Sequence, residues 1–81
     1  MPTVFSVGAY RIVVFPNDHG PAHVHAVGPD GSARFSLGGG PGEVRLMDVD
    51  GVPKKALKEI AGEIIDRHEE CLELWRSIHG N

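Results

Sequence analysis

His23-Val24-His25-Ala26-Val27-Gly28-Pro29-Asp30-Gly31-Ser32-Ala33-Arg34-Phe35-Ser36-Leu37 carries the reading of the fold. Two alternating runs, His23–Val27 and Ala33–Leu37, flank four turn formers. That pattern predicts two antiparallel strands joined by a tight turn. Side chains along a strand alternate between faces. Val24 and Ala26 therefore share a face with Ala33, Phe35 and Leu37. His23, His25 and Val27 share the other with Arg34 and Ser36.

On the N-terminal side, Thr3–Val7 and Tyr10–Phe15 are β-branched and aromatic runs separated by Gly8-Ala9. This spacing predicts a hairpin with a two-residue turn. Pro16-Asn17-Asp18-His19-Gly20-Pro21 reads as an exposed loop. On the C-terminal side, Gly38-Gly39-Gly40-Pro41-Gly42 precedes a fifth candidate strand, Glu43–Met47. Beyond Asp50-Gly51-Val52-Pro53, apolar residues recur every three or four positions. They are Leu57, Ile60, Ala61, Ile64, Ile65, Leu72, Trp75 and Ile78, the stripe of an amphipathic helix. Pro53 suits the first turn, and Gly80 suits the C-terminal cap. An unbroken helix over 53–79 would run about 40 Å, so Gly62 is the expected break. The fold class expected is α+β. One domain spans 1–81, with an antiparallel meander of four to five strands over 1–50. That meander packs under a C-terminal helical segment over 53–79.

Length and charge narrow the function. The chain has 81 residues and a formal charge of −3, which excludes a globally basic nucleic-acid clamp. Its single cysteine, Cys71, excludes an internal disulfide framework or a multi-cysteine zinc site. No apolar run approaches the roughly 20 residues that span a bilayer. No basic-then-apolar leader is visible. A cytoplasmic protein without membrane association is expected. The Gly38–Gly42 run lacks the Lys-Ser/Thr of a phosphate loop.

If the apolar strand faces meet the helix, Arg11, His23, His25, Arg34, Ser36 and Arg45 line the far face. All three arginines of the first 50 residues fall there. The simplest explanation is solvent exposure of polar side chains; the functional one is an anion or phosphate site. Val13, Phe15, Val27 and Met47 share that face, which implies partial cover by a loop, a second copy or a partner.

Asn17-Asp18-His19-Gly20-Pro21-Ala22-His23-Val24-His25 is the richest segment in chemistry. His23 and His25 sit two apart on a strand, about 6–7 Å apart at Cα, with both rings on one side. The loop bearing Asp18 and His19 can fold back toward them. These four residues suit a divalent metal such as zinc, nickel or manganese, with His19, His23 and His25 as nitrogen ligands. They equally suit metal-independent acid–base catalysis at Asp18, His19, His23 and His25. Arg11, Arg34, Ser36 and Arg45 would then hold the substrate anion. Local capping by Asp18 and His19, beside surface histidines, is the structural alternative. His68 and Trp75 lie in the helical stripe and read as core or core-edge residues. Cys71 reads as a packed thiol.

Several segments resemble one family of small bacterial proteins, the domain of unknown function, family 4160. They are Met1-Pro2-Thr3-Val4-Phe5, Tyr10-Arg11 with the strand to Phe15, Asn17-Asp18-His19, His23-Val24-His25, Ala33-Arg34-Phe35 and Glu73-Leu74-Trp75. The resemblance runs over nearly the whole chain, and the N-D-H-x-P-x-H-V-H core is its most specific part. It implies the toxin-side component of a two-gene toxin–antitoxin module, with a small protein partner. It carries no mechanism. Pro21-Ala22 stands where Pro-Pro is usual, Ala26 where Val is usual, and the 38–42 loop is richer in glycine than expected. Three expectations follow: a ribonuclease-like enzyme acting on RNA or another phosphate ester, a non-catalytic module that binds a partner or a second copy, and a histidine-based metal protein.

Overall fold

The computed structural model describes residues 3–80. Met1, Pro2 and Asn81 lie outside the described residues, so the Met1-Pro2 part of the resemblance has no structural counterpart here. Five strands, β1 (Thr3–Val7), β2 (Tyr10–Val13), β3 (His23–Val27), β4 (Ser32–Ser36) and β5 (Arg45–Asp50), precede α1 (Lys54–Asp66) and α2 (His68–His79). The strands form one sheet in chain order, each antiparallel to its neighbour. This is the expected α+β meander under helices.

Alternation sets the core. Ile12, Val14, Val24, Ala26, Ala33, Phe35 and Leu37 meet Ile60, Ile64, Cys71, Leu72 and Trp75 in one buried cluster. Each fully buried aliphatic or aromatic side chain there contributes roughly 1.5–3 kcal/mol. The turns follow the sequence as well. Gly8 takes φ 58° between β1 and β2, where a side chain would strain the backbone. Gly28 N–H donates to the Gly31 carbonyl at 3.0 Å, closing the β3–β4 turn. A Cβ on Gly31 would collide with the Asp50 carbonyl, so this turn can lie against the end of β5 only without a side chain there.

Three boundaries differ from the sequence reading. β2 ends at Val13, two residues early, because Phe15 begins the next turn. β5 is displaced from 43–47 to Arg45–Asp50, because Pro41–Glu43 forms a short 3-10 turn with proline at its start. The helical segment breaks at Arg67, not at Gly62. Arg67 has φ −113° and ψ 29°, outside helical geometry. Gly62 lies within α1, and a Cβ there would meet nothing within 4 Å. The break redirects the chain so that buried His68 donates from Nε2 to the Leu37 carbonyl at 2.8 Å. Arg67 itself lies over the Phe5 ring, 4.9 Å from its centroid. The expected C-terminal cap is present: Gly80 adopts φ 78° and its N–H reaches the Arg76 carbonyl.

Both outer strands carry a register shift. On β5, Arg34 faces Asp48 whereas Phe35 faces Leu46, leaving Met47 as the extra residue. This bulge moves Asp48 and Asp50 to the face of His25 and Arg34. The far face therefore carries mixed charge, which corrects the cationic patch expected from simple alternation. Among the described residues, no helix is long and apolar enough to cross a membrane.

Candidate functional site

The site begins with a turn. The Asp18 N–H donates to the Phe15 carbonyl at 3.0 Å. In return, Phe15 N–H donates to Oδ2 of Asp18 at 3.2 Å. The carboxylate is thereby turned inward over β3. His25 Nε2 lies 3.0 Å from the same oxygen, and since a carboxylate accepts, this nitrogen is the donor. His23 Nε2 lies 3.4 Å from that oxygen as well.

The tautomer of His23 follows from its other nitrogen. Nδ1 lies 2.9 Å from the Pro21 carbonyl, which can only accept, so Nδ1 carries a proton. Nε2 of a neutral ring is then a bare lone pair. It is buried, it has no hydrogen-bond partner, and it faces an anionic oxygen. Two acceptors that meet out of water require a positive charge between them, either a proton on His23 or a metal ion.

The pocket walls are aromatic. His23 is 5% exposed; its ring centroid is 5.0 Å from that of Trp75 and 5.1 Å from that of His25. Phe15 closes the other side of His25 at 4.6 Å. Access runs through His25 and Asp18, whose side chains are 20% and 16% exposed. Burial lowers the His25 pKa below its ordinary value of 6.5. The Asp18 charge and hydrogen bond recover part of that shift, while His23 and Arg34 add to it.

The donor atoms of Asp18, His23 and His25 all lie within 4.8 Å of one another. A zinc ion with ligands at about 2.0–2.1 Å holds neighbouring donors roughly 3.3 Å apart. The 3.0 and 3.4 Å separations from Asp18 are close to that spacing, while the group as a whole spans up to 4.8 Å. The Pro21 carbonyl fixes Nδ1 of His23, a contact of the kind that would orient a metal-binding imidazole.

Of the residues singled out from sequence, Asp18, His23 and His25 come together. His19 is exposed and is not a member of that three-residue group; with Asp18 turned inward, the next residue leaves the turn toward solvent. Arg34 is adjacent through the cross-strand row Val13–His25–Arg34–Asp48, but its guanidinium is engaged by Asp48. A groove of about 470 Å³ runs from His25 past Arg34 to Asp48 and Asp50. Ser36 and Arg45 lie in the row of His23. Arg11 is exposed on β2 opposite Val27. Burial pushes the Cys71 thiol up to about 11, which keeps it protonated and unreactive. The role of Asp48 escaped the sequence reading, since the bulge that brings it beside Arg34 has no signal in strand alternation. The Pro21 carbonyl escaped it as well.

The model of a family described as Domain of unknown function (DUF4160) matches residues 9–76. No curated protein and no solved structure matches the chain.

Proposed function

Because this chain belongs to the DUF4160 family, from which no activity is inherited, its chemistry must be argued from its own residues, and we propose that Asp18, His23 and His25 form a divalent-metal centre. The observation that carries this reading is the buried, unpartnered Nε2 of His23 facing Oδ2 of Asp18. Two imidazoles and one carboxylate suit zinc, nickel, manganese or iron and leave further coordination positions for a ligand. Such an ion supplies Lewis acidity. The chain contributes the rest: Pro21 orients His23, Trp75 and Phe15 exclude water from two sides, and the groove past Arg34, net acidic through Asp48 and Asp50, admits a small polar ligand.

Metal analysis of protein prepared without a histidine tag tests the reading. One equivalent of a transition metal in the wild type, lost in Asp18→Asn, supports it. A metal content unchanged by Asp18→Asn contradicts it.

A second reading uses the same groups without metal, on RNA or another phosphate ester, in the toxin-side role that the family resemblance implies. It is favoured by His25, whose lowered pKa leaves it unprotonated and able to accept a proton near neutral pH. Against it stand the net charge of −3 and the pairing of Arg34 with Asp48, which reduce phosphate attraction. RNA cleavage that persists in excess chelator and disappears in His25→Ala would favour it over the metal centre.

A further inference from the structure

We infer that β5 is a self-pairing edge that joins two copies of this chain into one continuous sheet. β5 is the last strand of the sheet, so its outer edge has no neighbouring strand among the described residues. All six of its residues are exposed. Among the described residues, three of the four large apolar side chains left exposed lie on it: Leu46 at 45%, Met47 at 41% and Val49 at 47%. The fourth, Ile65, stands across an apolar groove of about 310 Å³ between β5 and α1, whose floor includes Phe35, Leu46 and Leu57. Unpaired edges with exposed apolar residues are normally blunted or covered.

The order of residues on the edge identifies the occupant. With Met47 bulged out of the ladder, the successive positions are Arg45, Leu46, Asp48, Val49 and Asp50. Two antiparallel copies related by a two-fold axis at Asp48 place Arg45 against Asp50 of the second copy, and Leu46 against Val49 of the second copy. The pairs are ionic on one face and apolar on the other, and each occurs twice. Asp48 meets Asp48 of the second copy, but each is already paired with the Arg34 of its own sheet. Sliding the register by two positions in either direction leaves three opposed positions instead of five, and one of the two slides also opposes Asp48 to Asp50. A two-fold axis perpendicular to the sheet keeps both helical layers on one side, so the two apolar grooves become continuous along the Leu46–Val49 rows. The bulge sets which side chains meet, and without it Arg45 and Asp50 would lie on opposite faces.

Sedimentation of the full chain over a range of concentrations tests this inference, with circular dichroism confirming that each variant is folded. A wild-type dimer is expected. Dimerisation should weaken by roughly tenfold or more in Arg45→Asp, through two lost attractions and two new repulsions. The double variant Arg45→Asp/Asp50→Arg should restore it, and Leu46→Lys should abolish it. An oxidised Asp48→Cys variant is expected to form an intermolecular disulfide across the two-fold axis. A wild-type monomer at the highest soluble concentration overturns the inference, as does a dimer unaffected by both Arg45→Asp and Leu46→Lys.

Discussion

Nε2 of His23 faces Oδ2 of Asp18 at 3.4 Å, while the other nitrogen of the same ring is committed to the Pro21 carbonyl. The three groups form a directional sequence. The backbone engages Nδ1, which leaves Nε2 to face a carboxylate that already receives Phe15 N–H and His25. Strand register alone would have left two histidines side by side; the turn at 15–18 gives them a shared anion.

Removing that anion should separate structure from function. Asp18→Asn keeps the shape but lacks the charge that receives Phe15 N–H and His25 Nε2 on one oxygen. It is expected to lower stability by about 1–3 kcal/mol and to abolish tight metal binding. Urea denaturation and metal titration of the same variant read both effects.

Trp75 is the single tryptophan of the chain, and its ring lies 5.0 Å from that of His23. It should report occupancy of the centre. Nickel or cobalt is expected to quench its fluorescence saturably in the wild type and not in His25→Ala. Equal quenching in both would place the ion elsewhere.

His25 makes stability pH-dependent in metal-free protein. Its folded pKa lies below the ordinary 6.5, so near that pH the unfolded chain binds more protons than the folded one. Stability should therefore fall as pH drops below about 6.5 and level off once pH passes below the folded value. His25→Gln should flatten this slope, as measured by denaturation midpoints across the acidic range. Histidine NMR titration should place the His25 midpoint below 6.5.

The helix break should be fixed by His68 rather than by Gly62. His68→Leu leaves the buried Leu37 carbonyl without its donor and is expected to cost about 1–3 kcal/mol. Gly62→Ala meets open space within α1 and is expected to stabilise by roughly 0.5–1 kcal/mol. Thermal denaturation distinguishes the two.

Much of this molecule was legible in its residues, and the remainder has local physical causes. Alternation over His23–Leu37 set the hairpin, and the stripe from Leu57 to Ile78 set the helical face, because burial repeats with element geometry. The convergence of Asp18 with His23 and His25 was legible as proximity. The exclusion of His19 was not, since it depends on which way one turn rolls. The bulge at Met47 was illegible because a single inserted residue leaves composition and turn signals unchanged. Yet it reverses the face of Asp48 and Asp50, pairs Arg34 with Asp48 and gives mixed charge to a face that alternation alone made cationic. Arg67 broke the helix in place of Gly62 because the buried bond from His68 to Leu37 is a tertiary contact.

The most direct measurement is a nitrogen-15 NMR spectrum of the histidine side chains during addition of one equivalent of zinc to chelator-treated, tag-free protein. The expected result is that Nε2 of both His23 and His25 moves to a metal-bound shift while Nδ1 of His23 keeps its proton, with His19, His68 and His79 unmoved. Unchanged Nε2 resonances of His23 and His25, or a response centred on His19, would contradict the proposed centre.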